Sequence, residues 1–194
     1  MLIIYQIVLE IYISDIGRIF VREFFLETKR IAFSHWKQED FDLARSLWGE
    51  KEVTKYISKT GVFSENEIID RLQLEIDNEK QFHVQYWPIF EKETEEFIGC
   101  CGLRPYNIEK GIYEIGFHLK SKYWGKGLGI EAAKAIIQYA FKNLHAAELF
   151  AGHNPYNVNS KKVLERLGFH YIGDEYYVPT GLYHPSYKCV SFRE

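Results

Sequence analysis

A glycine-rich stretch in the second half of the chain has the clearest chemical potential. It reads Trp124-Gly125-Lys126-Gly127-Leu128-Gly129-Ile130 and stands between a predicted strand and a strong helix pattern. Glycines let the backbone approach a ligand closely and adopt dihedral angles that other residues avoid. The first N–H groups of a helix lack intrahelical partners, and the helix dipole favours negative charge there. The stretch therefore predicts a pyrophosphate-binding loop, to which Lys126 could add a positive charge.

The glycine spacing separates this loop from two other phosphate-binding motifs. A P-loop needs Gly-Lys followed by Ser or Thr, whereas Gly127 is followed by Leu128 and Gly129. A dinucleotide-binding fingerprint places its third glycine where Ile130 stands. The spacing therefore opposes a dehydrogenase-like nucleotide binder. A tight strand-to-helix turn without a ligand is the alternative that the loop alone leaves open.

A carboxylate on the preceding strand is the leading candidate for acid–base chemistry. Strand alternation over residues 112–119 places Glu114, Gly116 and His118 on one face. Because a carboxylate in an apolar strand is costly unless it is used or paired, we predict Glu114 as a general base, directly or through a water. A salt bridge or a substrate-positioning contact is the alternative. His118 has a suitable unperturbed pKa, although a histidine near a strand end is more often structural.

Strands and helices alternate irregularly around these residues. Strands are predicted over residues 29–36, 82–90, 97–103, 112–119 and 148–151, with two aromatic strands from Tyr171 to Phe192. Helices are predicted from Asp40, from the capping box at Ser64 with Ile68, Ile69, Leu72 and Ile76 inward, after the glycine stretch, and over about 157–167. The charged turn 91–96 indicates a hairpin. The pattern predicts an α/β (α+β) domain with a central, mostly antiparallel sheet, and it leaves the strand order open.

Charge and cysteine content narrow the classes of partner. The formal net charge of −3 over 194 residues gives no general attraction to nucleic acid or to an anionic membrane. Cys100, Cys101 and Cys189 show no metal-ligand spacing, so we expect no metal and reduced thiols in a cytoplasmic protein. The adjacent pair lies mid-strand without a neighbouring base, which argues against a covalent acyl-cysteine.

The first 26 residues form a separate apolar segment. No basic region precedes its apolar run, and Glu10 and Asp15 interrupt it well short of a membrane span. We therefore predict residues 1–26 as an extension that packs on the domain or on a partner, and residues 27–194 as the domain.

Several segments, in order, give the chain a resemblance to a known enzyme family. It is similar to the GNAT superfamily of N-acetyltransferases, and in particular to the Rim-type branch of ribosomal-protein N-terminal acetyltransferases. The resemblance rests on Glu27–Arg30, Phe97–Leu103, Tyr113–Phe117, Tyr123–Glu131, Asn157–Ser160 and Val163–Phe169, and covers about residues 27 to 192.

The resemblance implies a fold and a set of site residues. It implies a single domain with helices on both faces of the sheet, splayed between strands 112–119 and 148–151, with acetyl-CoA in the splay. The implied CoA-binding residues are Phe117, His118 and Leu119 along the pantetheine, Trp124, Gly125, Lys126, Gly127, Leu128, Gly129 and Ile130 at the pyrophosphate, and Asn157. Trp124 departs from the Gln or Arg usual at its position, which lowers the expected affinity slightly.

The candidate catalytic residues are Glu114, from the strand argument above, Asn157, which the resemblance implies, and Ser160, one turn after Asn157. Asn157 would bond the pantetheine or orient the thioester, and Ser160 could protonate or bond the sulfur. Helix capping is the alternative for both. Many relatives carry a tyrosine acid where this chain has Leu164, so a dedicated leaving-group acid is not carried over.

Two functions from different classes follow. The first is an N-acetyltransferase, a monomer or homodimer, that moves an acetyl group from acetyl-CoA to a primary amine by direct attack in a ternary complex. The amine would belong to a protein N-terminus or to a small molecule. The second is a non-catalytic acyl-CoA-binding sensor or partner module. Release of thiol from acetyl-CoA across an amine panel would distinguish them.

Overall fold

One eight-stranded sheet runs through residues 22–191, the part of the chain that the structure, a computed structural model, describes. Its strands are β1 (Leu26–Glu27), β2 (Ile31–Phe33), β3 (Tyr86–Glu91), β4 (Phe97–Asn107), β5 (Ile112–Leu119), β6 (Glu148–Gly152), β7 (His170–Tyr177) and β8 (Leu182–Val190). Their order is β1-β2-β3-β4-β5-β6-β8-β7. Every neighbouring pair is antiparallel except β5 and β6, which are parallel. The predicted mostly antiparallel sheet is confirmed.

Helices cover both faces of this sheet, as predicted. They are α1 (Phe41–Trp48), α2 (Lys51–Thr54), α3 (Glu65–Phe82), α4 (Leu128–Lys142) and α5 (Val158–Arg166). One buried cluster joins α4 and Leu164 of α5 to the sheet, and a second joins α1 and α3 to the opposite face. Because side chains alternate along β4, Cys100 belongs to the second cluster and Cys101 to the first. All three cysteines are buried, unpaired thiols.

Local sequence signals account for several of the helix ends. Ser64 Oγ accepts the Glu67 N–H at 3.3 Å, and the Glu67 carboxylate accepts the Ser64 N–H at 2.7 Å, so the predicted capping box is confirmed. After α5, Gly168 adopts a φ of +82° and the Phe169 N–H donates to the Leu164 carbonyl at 3.0 Å. This left-handed cap ends the helix and buries Phe169 against the core.

Some predicted boundaries were wrong. The strand predicted from residue 82 begins only at Tyr86, because α3 continues through Phe82 and ends at His83 in a left-handed conformation. The first predicted strand contracts to β2, and β4 extends to Asn107. The apolar pattern predicts Ile69 on the inner face of α3, and this is wrong: Ile69 is 50% exposed, whereas Glu75 is fully buried on that face.

The start of the described chain packs on the sheet. Arg22 pairs with Asp40, and the Phe24 and Phe25 rings contact Phe90 and Trp87 with centroids 5.7 and 5.3 Å apart. The packing predicted for residues 1–21 lies outside the described residues. None of the helices found within residues 22–191 could span a membrane. In the same range, no His/Cys/Asp/Glu group is arranged to hold a metal ion.

Candidate functional site

A gap in the sheet opens between β5 and β6. The two strands pair only from Ile112 with Glu148 to Glu114 with Phe150. Beyond Glu114, β5 continues beside β4 to Leu119, while β6 continues beside β8 to Gly152. The predicted splay is therefore confirmed, and Glu114 stands at its vertex.

The strand register directs one set of backbone groups into this gap. The Lys120 N–H donates to the Ile98 carbonyl on β4 at 3.0 Å. Because hydrogen-bonded pairs alternate in an antiparallel ladder, Glu114, Gly116 and His118 direct their backbone groups to β4. Phe117 and Leu119 direct theirs to the opposite side, toward the gap. The structure thus places the backbone of two of the three predicted pantetheine contacts at the gap, and that of His118 against Cys100 on β4.

The glycine-rich loop has the form that an anion-binding turn requires. Gly125 and Gly127 have φ of +74° and +76°, which a residue with a Cβ adopts only under strain. The first backbone hydrogen bond of α4 joins the Glu131 N–H to the Gly127 carbonyl at 3.1 Å, so the amides from Gly125 to Ile130 precede it. A Cβ added at Gly125 would meet no atom within 4 Å. The loop is open at Gly125, as an anion-binding turn requires.

Trp124 does not fill this loop. Its indole N–H donates to the Leu119 carbonyl at 2.8 Å, which turns the ring back toward the end of β5. The Lys126 ammonium lies 5.1 Å from the centre of the Tyr123 ring. Trp124 therefore connects the loop to β5 in place of the polar side chain usual at this position.

A residue that the sequence reasoning missed braces the loop from β2. Arg30, immediately before β2, donates from Nη1 to the Lys126 carbonyl at 3.0 Å and from Nε to Glu131 Oε2 at 2.7 Å. Thr28 Oγ1 donates to Glu131 Oε1 at 2.7 Å. Partial burial would raise the pKa of Glu131, but the bonds from Thr28 and Arg30 outweigh it and lower that pKa. Arg30 thus neutralises the Glu131 carboxylate in the first turn of α4, beside the place where an anion is expected.

Glu114 faces the side of the sheet away from α4. The Tyr86 hydroxyl donates to Glu114 Oε1 at 3.3 Å, and its ring covers Gly116, where an added Cβ would lie 2.3 Å from the hydroxyl oxygen. Burial raises the pKa of the Glu114 carboxyl, and Arg104, Arg71 and the Tyr86 bond offset only part of that rise. A carboxylate with a raised pKa suits proton uptake near neutral pH.

A buried charge cluster supports Tyr86 and Glu114. Glu75 of α3, fully buried, accepts hydrogen bonds from Arg71 Nε at 3.2 Å, from Arg104 and from the Tyr86 backbone N–H at 2.8 Å. Arg104 lies directly opposite Glu114 on β4. The sequence carried a signal for this cluster, because Glu75 interrupts the apolar stripe of Ile68, Leu72 and Ile76.

His118 lies on the same face, beyond Tyr86. Its Nδ1 accepts the Trp48 indole N–H at 3.2 Å, and Cys100 Sγ lies 3.8 Å from the same nitrogen. Burial lowers the pKa of His118 well below its usual value, and the Arg71 and Arg104 charges lower it further. The ring is therefore neutral, and its Nδ1 is already engaged.

Asn157 and Ser160 lie at the start of α5. Asn157 is the N-cap, and its Oδ1 accepts the Ser160 N–H at 3.2 Å, so a capping role is present. Because β5 and β6 are parallel neighbours, the segments that leave their carboxyl ends start from the same edge of the sheet, and they lead into α4 and α5. Among residues 22–191, neither side chain is hydrogen-bonded to Glu114. Leu164, at the position of the absent tyrosine, is buried in the core.

Comparisons with known proteins agree with this geometry. A family model described as an acetyltransferase (GNAT) domain matches residues 30–170. The chain is 34% identical over 144 residues to the uncharacterized N-acetyltransferase p20 of Bacillus licheniformis, covering 74% of this chain and 81% of that protein. It is 32% identical over 96 residues to the ribosomal protein uS5-alanine N-acetyltransferase of Escherichia coli, covering 46% of this chain and 48% of that protein.

Solved structures share the fold. An acetyltransferase of the GNAT family from Bacillus anthracis superposes with a TM-score of 0.72 at 23% identity, covering 86% of this chain and 98% of that one. RimL, a ribosomal L7/L12 alpha-N-protein acetyltransferase in complex with coenzyme A, superposes with a TM-score of 0.73 at 15% identity, covering 87% of this chain and 98% of that one.

Proposed function

We propose, from the premise that this chain belongs to the GNAT acetyltransferase family, that it transfers an acetyl group to a primary amine by direct attack in a ternary complex. The chain is an acetyl-CoA-dependent acetyltransferase, and its relatives include ribosomal-protein alanine N-acetyltransferases, as its resemblance to the Rim-type branch predicted. The amine acceptor, the direct attack and the residue roles are the proposal. The observation that carries it is the gap in the sheet that begins at Glu114. The carboxyl of Glu114 has a raised pKa, and the strand that borders the gap leads into the open amide loop.

The donor side of the site is assigned to backbone groups. The amides from Gly125 to Ile130 would hold the pyrophosphate, and Lys126 would add a charge at their edge. The backbone groups of Phe117 and the N–H of Leu119 would bond the pantetheine along the open edge of β5, since the Leu119 carbonyl already accepts the Trp124 indole N–H. Asn157 keeps its side-chain N–H groups for the pantetheine or the thioester while its Oδ1 caps α5.

The acceptor side needs a base, because an alkyl ammonium has a pKa of roughly 10. Glu114 takes a proton from the ammonium, directly or through a water, and the nitrogen lone pair then attacks the thioester carbonyl carbon. The C–N bond forms, the C–S bond breaks with its electron pair on sulfur, and the second proton of the attacking nitrogen passes to the departing thiolate or to solvent, which leaves the amide and free coenzyme A. Ser160, in the first turn of α5, would donate a hydrogen bond to that sulfur. A thiolate is a fair leaving group, so no dedicated acid is required.

The α-amine of a peptide or protein is the acceptor that we place first. The support is the similarity to the ribosomal protein uS5-alanine N-acetyltransferase, over about half the length of that relative. A small-molecule amine is the second candidate. The division into residues 1–26 and 27–194, the cytoplasmic location, the monomeric or dimeric state and the absence of nucleic-acid and membrane partners stay predictions.

A thiol-release assay tests this proposal. Free thiol should appear from acetyl-CoA when the protein meets an accepted amine, and Glu114→Gln should lower kcat about 100-fold, as expected for loss of a general base. Coenzyme A should raise the Tm of both proteins, whereas NAD should not. Binding of coenzyme A without thiol release across peptide and small amines would instead favour an acyl-CoA-binding module.

A further inference from the structure

We propose that the Nε2–H of His118 is a hydrogen-bond donor to a carbonyl oxygen of the acceptor, and that it selects peptide amines over polyamines. This inference rests on the proposed amine acetylation and goes beyond it, because it names a contact that recognises the acceptor. In this role His118 is a positioning and specificity residue, and it takes no part in proton transfer.

The contacts of the ring define which nitrogen carries the proton. An indole N–H can only donate, so Nδ1 of His118, at 3.2 Å from Trp48 Nε1, must be the acceptor. Burial raises the pKa of the Cys100 thiol to about 12, so that group also remains protonated beside Nδ1. A neutral imidazole with an accepting Nδ1 carries its proton on Nε2. Trp48 and Cys100 therefore specify the Nε2–H tautomer.

The opposite edge of the ring has no hydrogen-bond partner among the described residues. His118 is partly exposed. Within residues 22–191, two buried side-chain atoms lack a hydrogen-bond partner, and Nε2 of His118 is not one of them. In that range no side chain or backbone group bonds Nε2, which leaves this N–H for a ligand. Because the tautomer is fixed, this N–H can donate a hydrogen bond to an oxygen of the acceptor.

The position of His118 relative to Glu114 indicates what that oxygen belongs to. Both side chains project from the same face of β5, and the Tyr86 ring lies between them, with its centre 5.8 Å from that of His118. Four residues along a strand separate their Cα atoms by roughly 13 Å. An acceptor with its amine at Glu114 therefore reaches His118 only with a more distant group, such as a carbonyl further along a peptide.

The charges around His118 oppose a polyamine in the same place. Arg71 and Arg104 lie close enough to lower the pKa of the ring, and both guanidinium groups pack on Tyr86, at 5.6 and 4.6 Å from its centre. A second ammonium would meet an N–H donor and two guanidinium groups that share one buried carboxylate, that of Glu75. A neutral carbonyl would meet the donor without the repulsion.

The test compares two variants on three probes: an alanine tetrapeptide amide, pentylamine and spermidine. His118→Gln keeps an amide N–H near the Nε2 position, whereas His118→Asn places its amide near Nδ1. For the tetrapeptide, we expect His118→Asn to lower kcat/KM about tenfold, and His118→Gln to lose clearly less. For pentylamine, which has no carbonyl group, both variants should lose clearly less kcat/KM than His118→Asn loses on the tetrapeptide, and the acidic limb of the pH profile should stay in place in both.

A second readout does not depend on activity. The ¹⁵N NMR shifts of His118, assigned by their disappearance in His118→Gln, should show protonated Nε2 and unprotonated Nδ1. The opposite tautomer, an equal loss of kcat/KM on tetrapeptide and pentylamine, or a wild-type preference for spermidine would each overturn the inference and leave amine acetylation intact. A wild-type protein that acetylates none of the three probes would overturn the proposed function as well.

Discussion

The hydroxyl of Tyr86 donates a hydrogen bond to Glu114 Oε1 at 3.3 Å, which links β3 to a carboxylate on the second strand along the sheet. The glycine at position 116 is what permits this contact, because any Cβ there would collide with the Tyr86 ring. The bond favours the charged form of the carboxylate, against the burial that raises its pKa.

Replacement of Tyr86 by Phe should therefore change the pH dependence of catalysis. A base must be deprotonated, so kcat/KM rises as pH increases through the pKa of Glu114. That pKa is already above its ordinary value, and loss of the Tyr86 bond raises it further. We expect the rising limb of the profile to move to higher pH in Tyr86→Phe. Tyr139→Phe, on the α4 side of the sheet, is the control; an unmoved limb in Tyr86→Phe would remove Glu114 from the role of base.

A Cβ at Gly125 should weaken coenzyme A binding. Ala at a φ of +74° costs about 1–2 kcal/mol of stability, and its methyl group would enter the open space above the amide loop. We expect urea unfolding to show that loss and calorimetric titration to show at least about a tenfold weaker Kd for coenzyme A.

Gly168→Ala is the matched control for this substitution. Gly168 has a φ of +82° and equally open surroundings, but it lies at the end of α5. The same loss of stability with an unchanged Kd is the expected result. Equal Kd values in the Gly125 and Gly168 variants would show that the loop does not hold the ligand.

Loss of the Arg30 guanidinium should raise the KM for acetyl-CoA. Arg30→Gln removes the bond to the Lys126 carbonyl and leaves Glu131 as an uncompensated negative charge at the start of α4, both of which disfavour a diphosphate. We expect a KM for acetyl-CoA several-fold higher, with the KM for the amine unchanged. Arg45→Gln, which breaks an exposed pair with Glu65, should leave both KM values unchanged. A rise confined to the amine would contradict this role.

Neutralisation of Glu75 should destabilise the whole domain. The carboxylate is fully buried, and Arg71 and Arg104 depend on it for charge compensation. Removing one partner from a buried ion pair costs about 3–5 kcal/mol, so Glu75→Gln should show a large loss in urea unfolding. Glu65→Gln, in the exposed pair with Arg45, should lose less than about 1 kcal/mol. Similar losses in the two variants would mean that the cluster is solvated.

Features that depend on near neighbours in the chain were predictable. The capping box at Ser64, the hairpin after Glu91 and the glycine cap at Gly168 each involve residues within a few positions of one another. The glycine spacing that leads into α4 belongs to the same class, because the unpaired amides follow from the helix start itself. Glu114 and His118 on one face followed from strand alternation alone.

Contacts between distant segments were decided only by the tertiary structure. Arg30 and Glu131 are 101 residues apart, and Tyr86 and Glu114 are 28 apart, so no local pattern links either pair. The strand order was equally out of reach, because pairing depends on how apolar faces are buried together and not on the strands one at a time. The start of β3 was misplaced for the same reason: the buried contacts of α3 extend that helix through Phe82, in a segment whose apolar content also suits a strand.

The sequence by itself determined the family, the amide loop and the candidate base, because these are written in residue types at short spacing. The tertiary structure decided the surroundings of each group: the gap beyond Glu114, the cations beside it and the tautomer of His118. The physical reason is that pKa values and hydrogen-bond partners are set by atoms brought within a few ångströms by folding, whatever their separation along the chain.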